Sequence, residues 1–453
     1  MPIKYCVRRT AAGVCLTLSL TMSLAGCSID NLLEGDDPTE GQIIEPGAMN
    51  NYTGGLNLYY SSLRSMTEAM SAASREVATF TDEVTVSGST YATFDRRRAS
   101  IGPRAADGLV SLAYEPLQVA RVRAGQAGEL LLRHGTTASY PLVGNAYAMQ
   151  ALAVLQMAEL LCSGVPLTEV PFERDLTYTA GLSTTALLER AVVLFDTAYF
   201  YGKDSLPIAT LARVGKGRAL LGLGRYGDAA AAAAEVPLNA QYAIQFSTQQ
   251  NGSVFWTAQG GTSERNAWWV IHREGGNGMP WLADSARKQD PRVRVSRSAD
   301  SMTYTNPVRQ LKYPSTASTV SLVVANGIHA RLIEAEAQLQ PPNAPSGPWL
   351  ETLNAARRTV GLPDTTDPGI DTARVNLLFR ERAFWMYLTG QRLGDMRRLI
   401  RNYGRHAENV YPTGLYPRET VTLPTYGNEK VMTLHADEQN RNPLYQGCIH
   451  RDA

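Results

Sequence analysis

The chain has 453 residues with nearly balanced charge, 43 Lys and Arg against 42 Asp and Glu, so it has no general attraction for nucleic acid or anionic lipid. That length permits two or three ordinary domains or one large helical array. Past residue 26 there is no uninterrupted apolar run long enough for a transmembrane helix.

At the N-terminus, Lys4, Arg8 and Arg9 precede an apolar run, Ala11–Leu20, that is too short to span a bilayer. Leu24-Ala25-Gly26-Cys27 follows. A positive start, a short apolar centre and small residues before a cysteine make 1–26 a lipoprotein export signal. The mature chain is then expected to begin at Cys27, carry lipid there, and be anchored to a membrane rather than span it. Losing those three cations takes the net charge from +1 to −2. Residues 27–47 carry Asp30, Glu34, Asp36, Asp37, Glu40 and Glu45 among Gly and Pro, the composition of a flexible acidic tether. The remaining cysteines are Cys162 and Cys448. Two cysteines alone do not show that they meet, and Cys162 lies in an apolar helical run, where a small buried thiol is the expected role.

Residues 48–236 form the first part of the body, and apolar residues recur there at helical spacing. Leu56, Tyr59, Tyr60, Leu63, Met66, Met70 and Ala73 make one helix face. Leu109, Leu112, Leu117, Val119 and Val122 predict a second helix, bent or interrupted at Glu115-Pro116. Asn145–Leu161 is Ala-rich and apolar on most sides, as suits a helix between neighbours, and it stops before Gly164-Val165-Pro166. Ser183–Tyr199 predicts a further helix with Ser183 or Thr184 as its cap.

Leu211–Val236 reads as a helix, a turn at Gly224-Arg225-Tyr226-Gly227, and an alanine-rich helix. Its small residues would let antiparallel helices approach closely, with Leu220, Leu223 and Tyr226 in the seam. Tetratricopeptide (TPR) pairs are built this way, although no strict repeat is visible here. Gly222, Gly224 and Gly227 also match G-x-G-x-x-G. A nucleotide loop needs a preceding strand, whereas Leu211–Leu221 has a helical pattern.

Residues 237–325 change character. Pro, Gly, Asn, Ser and aromatic residues dominate, with short β-like runs such as Trp268-Trp269-Val270-Ile271. So long a loop-rich insert is expected to carry function. Residues 326–453 begin with helical pattern again, at Gly327–Leu339, Leu350–Val360, Thr372–Leu388 and Arg392–Tyr403. The remainder reads as irregular.

This second helical region resembles the SusD/RagB family of outer-membrane nutrient-binding lipoproteins. Arg331-Leu332-Ile333-Glu334-Ala335-Glu336-Ala337 looks like its R-x-x-E-A-E-A helix. Asn354-Ala355-Ala356-Arg357 with Gly361-Leu362-Pro363 looks like its N-x-x-R…G-L-P turn. Glu381-Arg382-Ala383, Gly390-Gln391-Arg392 and Asp395-Met396-Arg397-Arg398 follow its E-R-x…G-x-R-x-x-D-x-x-R signature. Glu438, Asn442-Pro443 and Gln446-Gly447 keep the family's final spacing, and Val165-Pro166-Leu167 is similar to its G-D-V-P-L corner. The sequence departs from the pattern at Ser163-Gly164, Thr389, Gly394 and His435, which puts subfamily and ligand in doubt while leaving the fold expectation intact.

The resemblance implies a mostly α, TPR-like (SusD-like) superhelix with a loop-rich insert containing short strands. It implies an oligosaccharide or peptide ligand, a SusC-like TonB-dependent transporter as partner, and a lipid-anchored place on the cell outer membrane, exposed at the surface. On their own chemistry, the signature charges Glu381, Arg382, Arg392, Asp395 and Arg397 lie beside Phe384, Trp385 and Leu388. They are expected to form partly buried ion pairs that fix helix orientation.

For ligand contact, the insert offers Trp256, Trp268, Trp269, Trp281 and Tyr304, and the loop after the first helix offers Asp82, Tyr91, Phe94 and Arg96-Arg97-Arg98. Aromatic faces stack on sugar rings, and Asn, Asp and Arg bind hydroxyls. If Trp268 and Trp269 lie on a strand they face opposite ways, so only one of them can meet a ligand. The six histidines form no metal-spaced set, Gly215-Lys216-Gly217 lacks the frame of a phosphate loop, and no G-x-S-x-G elbow occurs. The expectation is a binding protein rather than an enzyme, with no metal or organic cofactor and no nucleic-acid partner; calcium on loop carboxylates stays open. Two alternatives remain: a TPR-like envelope scaffold without a small ligand, and a surface glycosidase, since carboxylates are abundant.

Overall fold

A computed structural model describes residues 49–86, 94, 97, 109–172, 175–246, 254–255, 268–282, 289–296, 308–313, 320–340, 347–416, 425–434 and 436–452. The export signal, Cys27 and the tether lie outside these residues, as do Tyr91, Arg96, Arg98, Trp256, Tyr304 and His435. The helices are α1 (Tyr52–Phe80), α2 (Tyr114–His134), α3 (Tyr140–Leu160), α4 (Thr184–Gly202), α5 (Leu206–Gly222) and α6 (Tyr226–Ala233). They continue with α7 (Gly327–Gln338), α8 (Pro348–Arg358), α9 (Asp371–Trp385), α10 (Arg392–Tyr403) and α11 (Ala436–Arg441). Among the described residues no helix is long and apolar enough to cross a membrane.

The helix boundaries have local causes. Asn51 caps α1, its Oδ1 accepting from the Gly54 amide at 2.9 Å. Ser183 caps α4 by accepting from the Ala186 amide at 3.1 Å, so of the two expected caps Ser183 serves and Thr184 is the first helical residue. Pro116 sits in the first turn of α2, where its missing amide costs no helical bond; it opens the helix rather than bending it. Gly404, at φ 64°, ends α10 in the left-handed conformation that suits glycine.

Successive helices pack on one another in chain order, α1 on α2, α3 between α2 and α4, α4 on α5, and α5 on both α6 and α7. The array is mostly α and TPR-like, as expected. Its seams depend on small residues. A methyl placed on Gly215 of α5 would lie 2.2 Å from the Phe195 ring of α4, and one on Gly144 of α3 would lie 2.5 Å from the Gly202 backbone. The G-x-G-x-x-G letters fall at the end of α5 and the start of α6, with no strand before them. A second, smaller core joins α7, α8 and α9 through Leu332, Leu339, Trp349, Leu353, Leu378 and Phe379.

The signature charges are buried between these helices. Asp395 of α10 accepts two hydrogen bonds from Arg382 of α9, at 3.1 and 3.0 Å, and one from Arg398 at 2.9 Å. Arg398 also grips Glu336 of α7 at 2.8 and 2.9 Å. Burial alone would raise Asp395, but the Arg382 and Arg398 guanidinium groups outweigh it and hold the carboxyl well below the usual range. Glu381 takes one bond each from Arg292 and Arg357, both at 2.5 Å. Arg397 donates to the Ala158 carbonyl at the end of α3 at 2.7 Å.

Strands occur only as short antiparallel pairs among the described residues: β1 (Thr85–Val86) with β5 (Trp268–Trp269), β2 (Val165–Pro166) with β3 (Gly181–Leu182), and β4 (Gln241–Ile244) with β6 (Leu322–Asn326). The β2–β3 pair interrupts the helical run expected for the first part of the body.

The C-terminal tail is more ordered than its composition suggests. Met432 and Thr433 bridge in parallel to Leu161 and Val110, His450 bridges to Ser163, and Ala436–Arg441 forms a short helix. Contrary to the expected free thiol, Cys162 is bonded to Cys448, with the two Cα atoms 5.8 Å apart. The pairing comes from the tail running back along the end of α3, where the Ile449 amide donates to the Ser163 carbonyl at 2.7 Å.

Candidate ligand site

Two loop regions named from the sequence come together, and the tail forms a third wall. β1, just after α1, pairs with β5 of the insert in the register Thr85↔Trp269 and Val86↔Trp268. Beneath this pair, Asp82 receives a bidentate grip from Arg392 at 2.8 and 3.0 Å, and its Oδ2 also accepts from the Met279 amide at 2.6 Å. Trp281 donates from Nε1 to the Asp82 carbonyl at 2.5 Å and packs on Phe384 and Tyr387, with ring centroids 5.2 and 4.8 Å away. Glu83 accepts from the Leu388 amide at 2.6 Å, and burial pushes its carboxyl up to about 8.

This geometry changes the roles of several residues singled out from the sequence. Asp82, Phe94 and Trp281 are buried, with Trp281 only 1% exposed, so they hold the loops in place instead of offering a face to a ligand. Trp268 is also buried, edge-on to Phe255 at 5.1 Å. Trp269 points the other way and is half-buried, so it is the member of the pair that can meet a ligand. Arg97 is fully enclosed. Its Nη1 donates to the Pro412 carbonyl at 2.7 Å, its Nε to the Glu429 carbonyl at 2.9 Å, and its guanidinium lies 4.2 Å from the Tyr411 ring centroid.

Beside these contacts a cavity of 540 Å³ opens, lined by Glu408, Thr413, Gly414, Tyr426, Gly427, Asn428 and Glu429. The turn Arg273–Gly278 of the insert backs it. Asn277 donates to the Glu408 and Tyr411 carbonyls, at 2.5 and 3.1 Å, and the Tyr426 hydroxyl donates to Glu274 at 2.6 Å. Tyr426 stands edge-on to Tyr416 at 5.2 Å. Carboxylates, a carboxamide, hydroxyls and glycine backbone make a lining rich in hydrogen-bonding groups, suited to a polyhydroxylated ligand. Sequence reasoning missed these tail residues because they lie in a stretch without helical period. Their signal was the cluster of turn formers and aromatics, Tyr411-Pro412-Thr413-Gly414 and Tyr426-Gly427-Asn428.

A second cavity of 480 Å³ lies between α2, α3 and α4, walled by Arg121, Tyr147, Gln150, Glu169 and Arg190 among others. Among the described residues, no group of three or more His, Cys, Asp or Glu side chains is placed to hold a metal ion.

No family sequence model and no curated protein sequence matches the chain. Solved structures do. A SusD-like protein of Bacteroides fragilis superposes with a TM-score of 0.61 at 14% identity, over 92% of this chain and 99% of its own. A SusD superfamily protein of Bacteroides vulgatus gives a TM-score of 0.64 at 14% identity, over 89% and 100%. The surface glycan-binding protein A of Bacteroides uniformis gives 0.58 at 12% identity, over 86% and 98%. The chain has the SusD-like fold.

Proposed function

We propose that this protein is a surface lipoprotein of the outer membrane, acylated at Cys27, that captures an oligosaccharide and delivers it to a SusC-like TonB-dependent transporter. The observation that carries this reading is a hydrogen-bonding cavity lined by the tail and backed by the insert turn Arg273–Gly278, on a rigid helical frame. Thr413, Asn428 and the Tyr426 ring in this lining supply the two kinds of contact a sugar needs, polar hydrogen-bond partners and an aromatic side chain. The same fold in a protein named for glycan binding supports the ligand class. The Leu24–Cys27 box supports the anchor. The protein acts by binding, and none of its steps requires a covalent intermediate.

Calorimetric titration of the mature protein against a panel of glycans and peptides tests the reading. Saturable binding of a glycan, weakened by Asn428→Ala, is the expected result. Binding of a peptide alone would reassign the cargo, and release of sugar product on long incubation would identify an enzyme. Affinity capture of the native lipoprotein from membranes should bring down a TonB-dependent barrel. If it brings down no barrel and the titrations are empty, the cavity between α2, α3 and α4 favours a scaffold that holds another envelope protein.

A further inference from the structure

The cavity of 480 Å³ among α2, α3 and α4 takes no part in the capture proposed above, yet its volume falls within the range of small-molecule sites. Three helices supply its walls: Arg121 and Gly125 come from α2, Tyr147 and Gln150 from α3, and Arg190 from α4. Spacings of four and three residues put each pair on one side of its helix. A methyl on Gly125 would lie 2.6 Å from Gln150 Nε2, and one on Gly128 3.2 Å from the Tyr147 ring. These glycines let α3 bring both side chains up against α2. The segment after β2 closes one side, and α2 holds it there. Gln118 donates to the Pro166 carbonyl at 2.7 Å, Arg121 Nη2 to the Thr168 carbonyl at 2.7 Å, and Gln126 to the Val170 carbonyl at 2.8 Å.

Arg121 also donates from Nε to Gln118 Oε1 at 2.7 Å. Its two bonds fix the plane of a buried guanidinium and leave Nη1 without a partner among the described residues. Exposed Arg190 makes no ion pair or hydrogen bond among those residues. Two cations thus line one recess, and neither touches a carboxylate. The nearby acids are mostly engaged elsewhere: Glu129 pairs with Arg133, and Glu438 accepts from the Tyr114 hydroxyl at 2.8 Å. Glu169 stands exposed in the lining without an ion pair. Burial lowers Arg121 to about 10 and the like charge of Arg190 adds to that, against Tyr114, Glu169 and Glu438. Arg121 is therefore still a cation at neutral pH, and a buried cation without a counter-charge favours the arrival of an anion.

We propose that this cavity is a second ligand site, taking the carboxylate of an acidic sugar on Arg121 and Arg190, with the sugar ring beside Tyr147. It is separate from the tail-lined cavity and does not rest on glycan capture there. A guanidinium fork matches the two oxygens of a carboxylate. Gln150, which has no hydrogen-bond partner among the described residues, and the Glu169 carboxylate are left for hydroxyl groups. Half-buried Tyr147 is steadied by stacking on Tyr201, with centroids 6.4 Å apart, and offers an apolar surface to a pyranose ring. The lining is less suited to an acidic peptide. An extended peptide binds through backbone hydrogen bonds, and the carbonyls of Pro166, Thr168 and Val170 are already engaged by α2.

Calorimetric titration of the mature chain tests the site, with trigalacturonate as the acidic probe and cellotriose as the neutral one. Saturable binding of trigalacturonate alone is expected. Arg190→Gln should weaken it by about tenfold or more, the loss of one charge-assisted contact. The melting temperature of that variant should stay where it is, because Arg190 is exposed and unpaired. Gln150→Ala should also weaken binding. No binding of trigalacturonate, or equal binding by the parent and Arg190→Gln, overturns the proposal. So does a loss of binding in Asn428→Ala but not in Arg190→Gln, which would move the acidic sugar to the tail-lined cavity. Binding of tetraglutamate in place of trigalacturonate, weakened by Arg190→Gln, would give the site to acidic peptides and overturn the ligand class. Equally tight binding of sulfate alone would reduce it to a general anion pocket and overturn the role of Tyr147.

Discussion

Arg392 closes on Asp82 across 310 residues of sequence, a bidentate pair buried on both sides that ties the end of the first helix to the start of α10. Desolvating two charges is costly, and the geometry offsets that cost only while both partners are present. Asp82→Asn is expected to destabilise the fold by about 3–5 kcal/mol, because Arg392 is then left buried without a counter-charge. Urea denaturation measures it. Replacing both residues, Asp82→Leu with Arg392→Met, should cost less than the sum of the single changes. Strict additivity would show that the pair contributes nothing as a pair.

The two tryptophans of the insert should separate stability from binding. Trp281→Ala removes a buried indole and its hydrogen bond to the Asp82 carbonyl, and is expected to cost about 3–5 kcal/mol. Trp269→Ala should leave the melting temperature nearly unchanged and weaken glycan binding. Thermal melts paired with calorimetry check both. A Trp281 variant that melts like the parent would contradict its place in the core.

The Cys162–Cys448 bond closes a loop of 286 residues. Constraining so long a loop in the unfolded chain stabilises the native state by roughly 3–5 kcal/mol. Cys448→Ser should lower the urea midpoint accordingly, and limited proteolysis should cut near α11 sooner in that variant. An unchanged midpoint with an unchanged cleavage pattern would show that backbone bridges alone hold the tail.

Stability should fall as pH rises from about 4.5 towards 7, in part through Glu76. This carboxylate accepts from the Ser111 hydroxyl at 2.7 Å and from the Leu112 and Ala113 amides ahead of α2, yet burial pushes it up to about 7. The folded chain therefore keeps a proton that the unfolded chain gives up at the ordinary carboxyl value of 4.5. That contribution is fully present below about pH 4.5 and is lost as pH rises through about 7, on the order of 3 kcal/mol in all. Glu83, raised by burial to about 8, acts in the same sense. Buried His329, lowered well below its ordinary value by desolvation, acts in the opposite one and loses its contribution as pH falls. Glu76→Gln should flatten the decline of the melting temperature between about pH 4.5 and 7 and leave the loss at lower pH in place. A decline of equal slope in the variant would exonerate Glu76.

The helical frame was legible because its cause is local and periodic. The α10 boundaries, Arg392–Tyr403, agree with the sequence reading, and the Ser183 cap follows from residue type and spacing; Gly222 is a close-packed seam residue as expected, though its neighbour is Leu188 of α4. Charges such as Arg382 and Asp395 beside bulky apolar groups announced buried pairs. The site was less legible. Asp82 and Trp281 carry the residue types of a sugar site, but their burial is decided by α9 and α10, three hundred residues away for Asp82 and a hundred for Trp281, roughly speaking. The cavity lining from Glu408 to Glu429 comes from a tail whose shape is fixed by bridges to Val110 and Leu161 and by the bond to Cys162, none of which has a local periodic signal.

That covalent bond also governs how the protein responds to a mechanical load. A load applied through the N-terminal end of the chain reaches the Cys162 side of this bond first. With Cys162 and Cys448 joined, the 286 intervening residues cannot be paid out as slack, which withholds roughly 1,000 Å of contour length from a stretched molecule. Only the strand of polypeptide ahead of Cys162 and the last few residues could unravel. Under tension the second half of the molecule would be hauled as a sealed parcel.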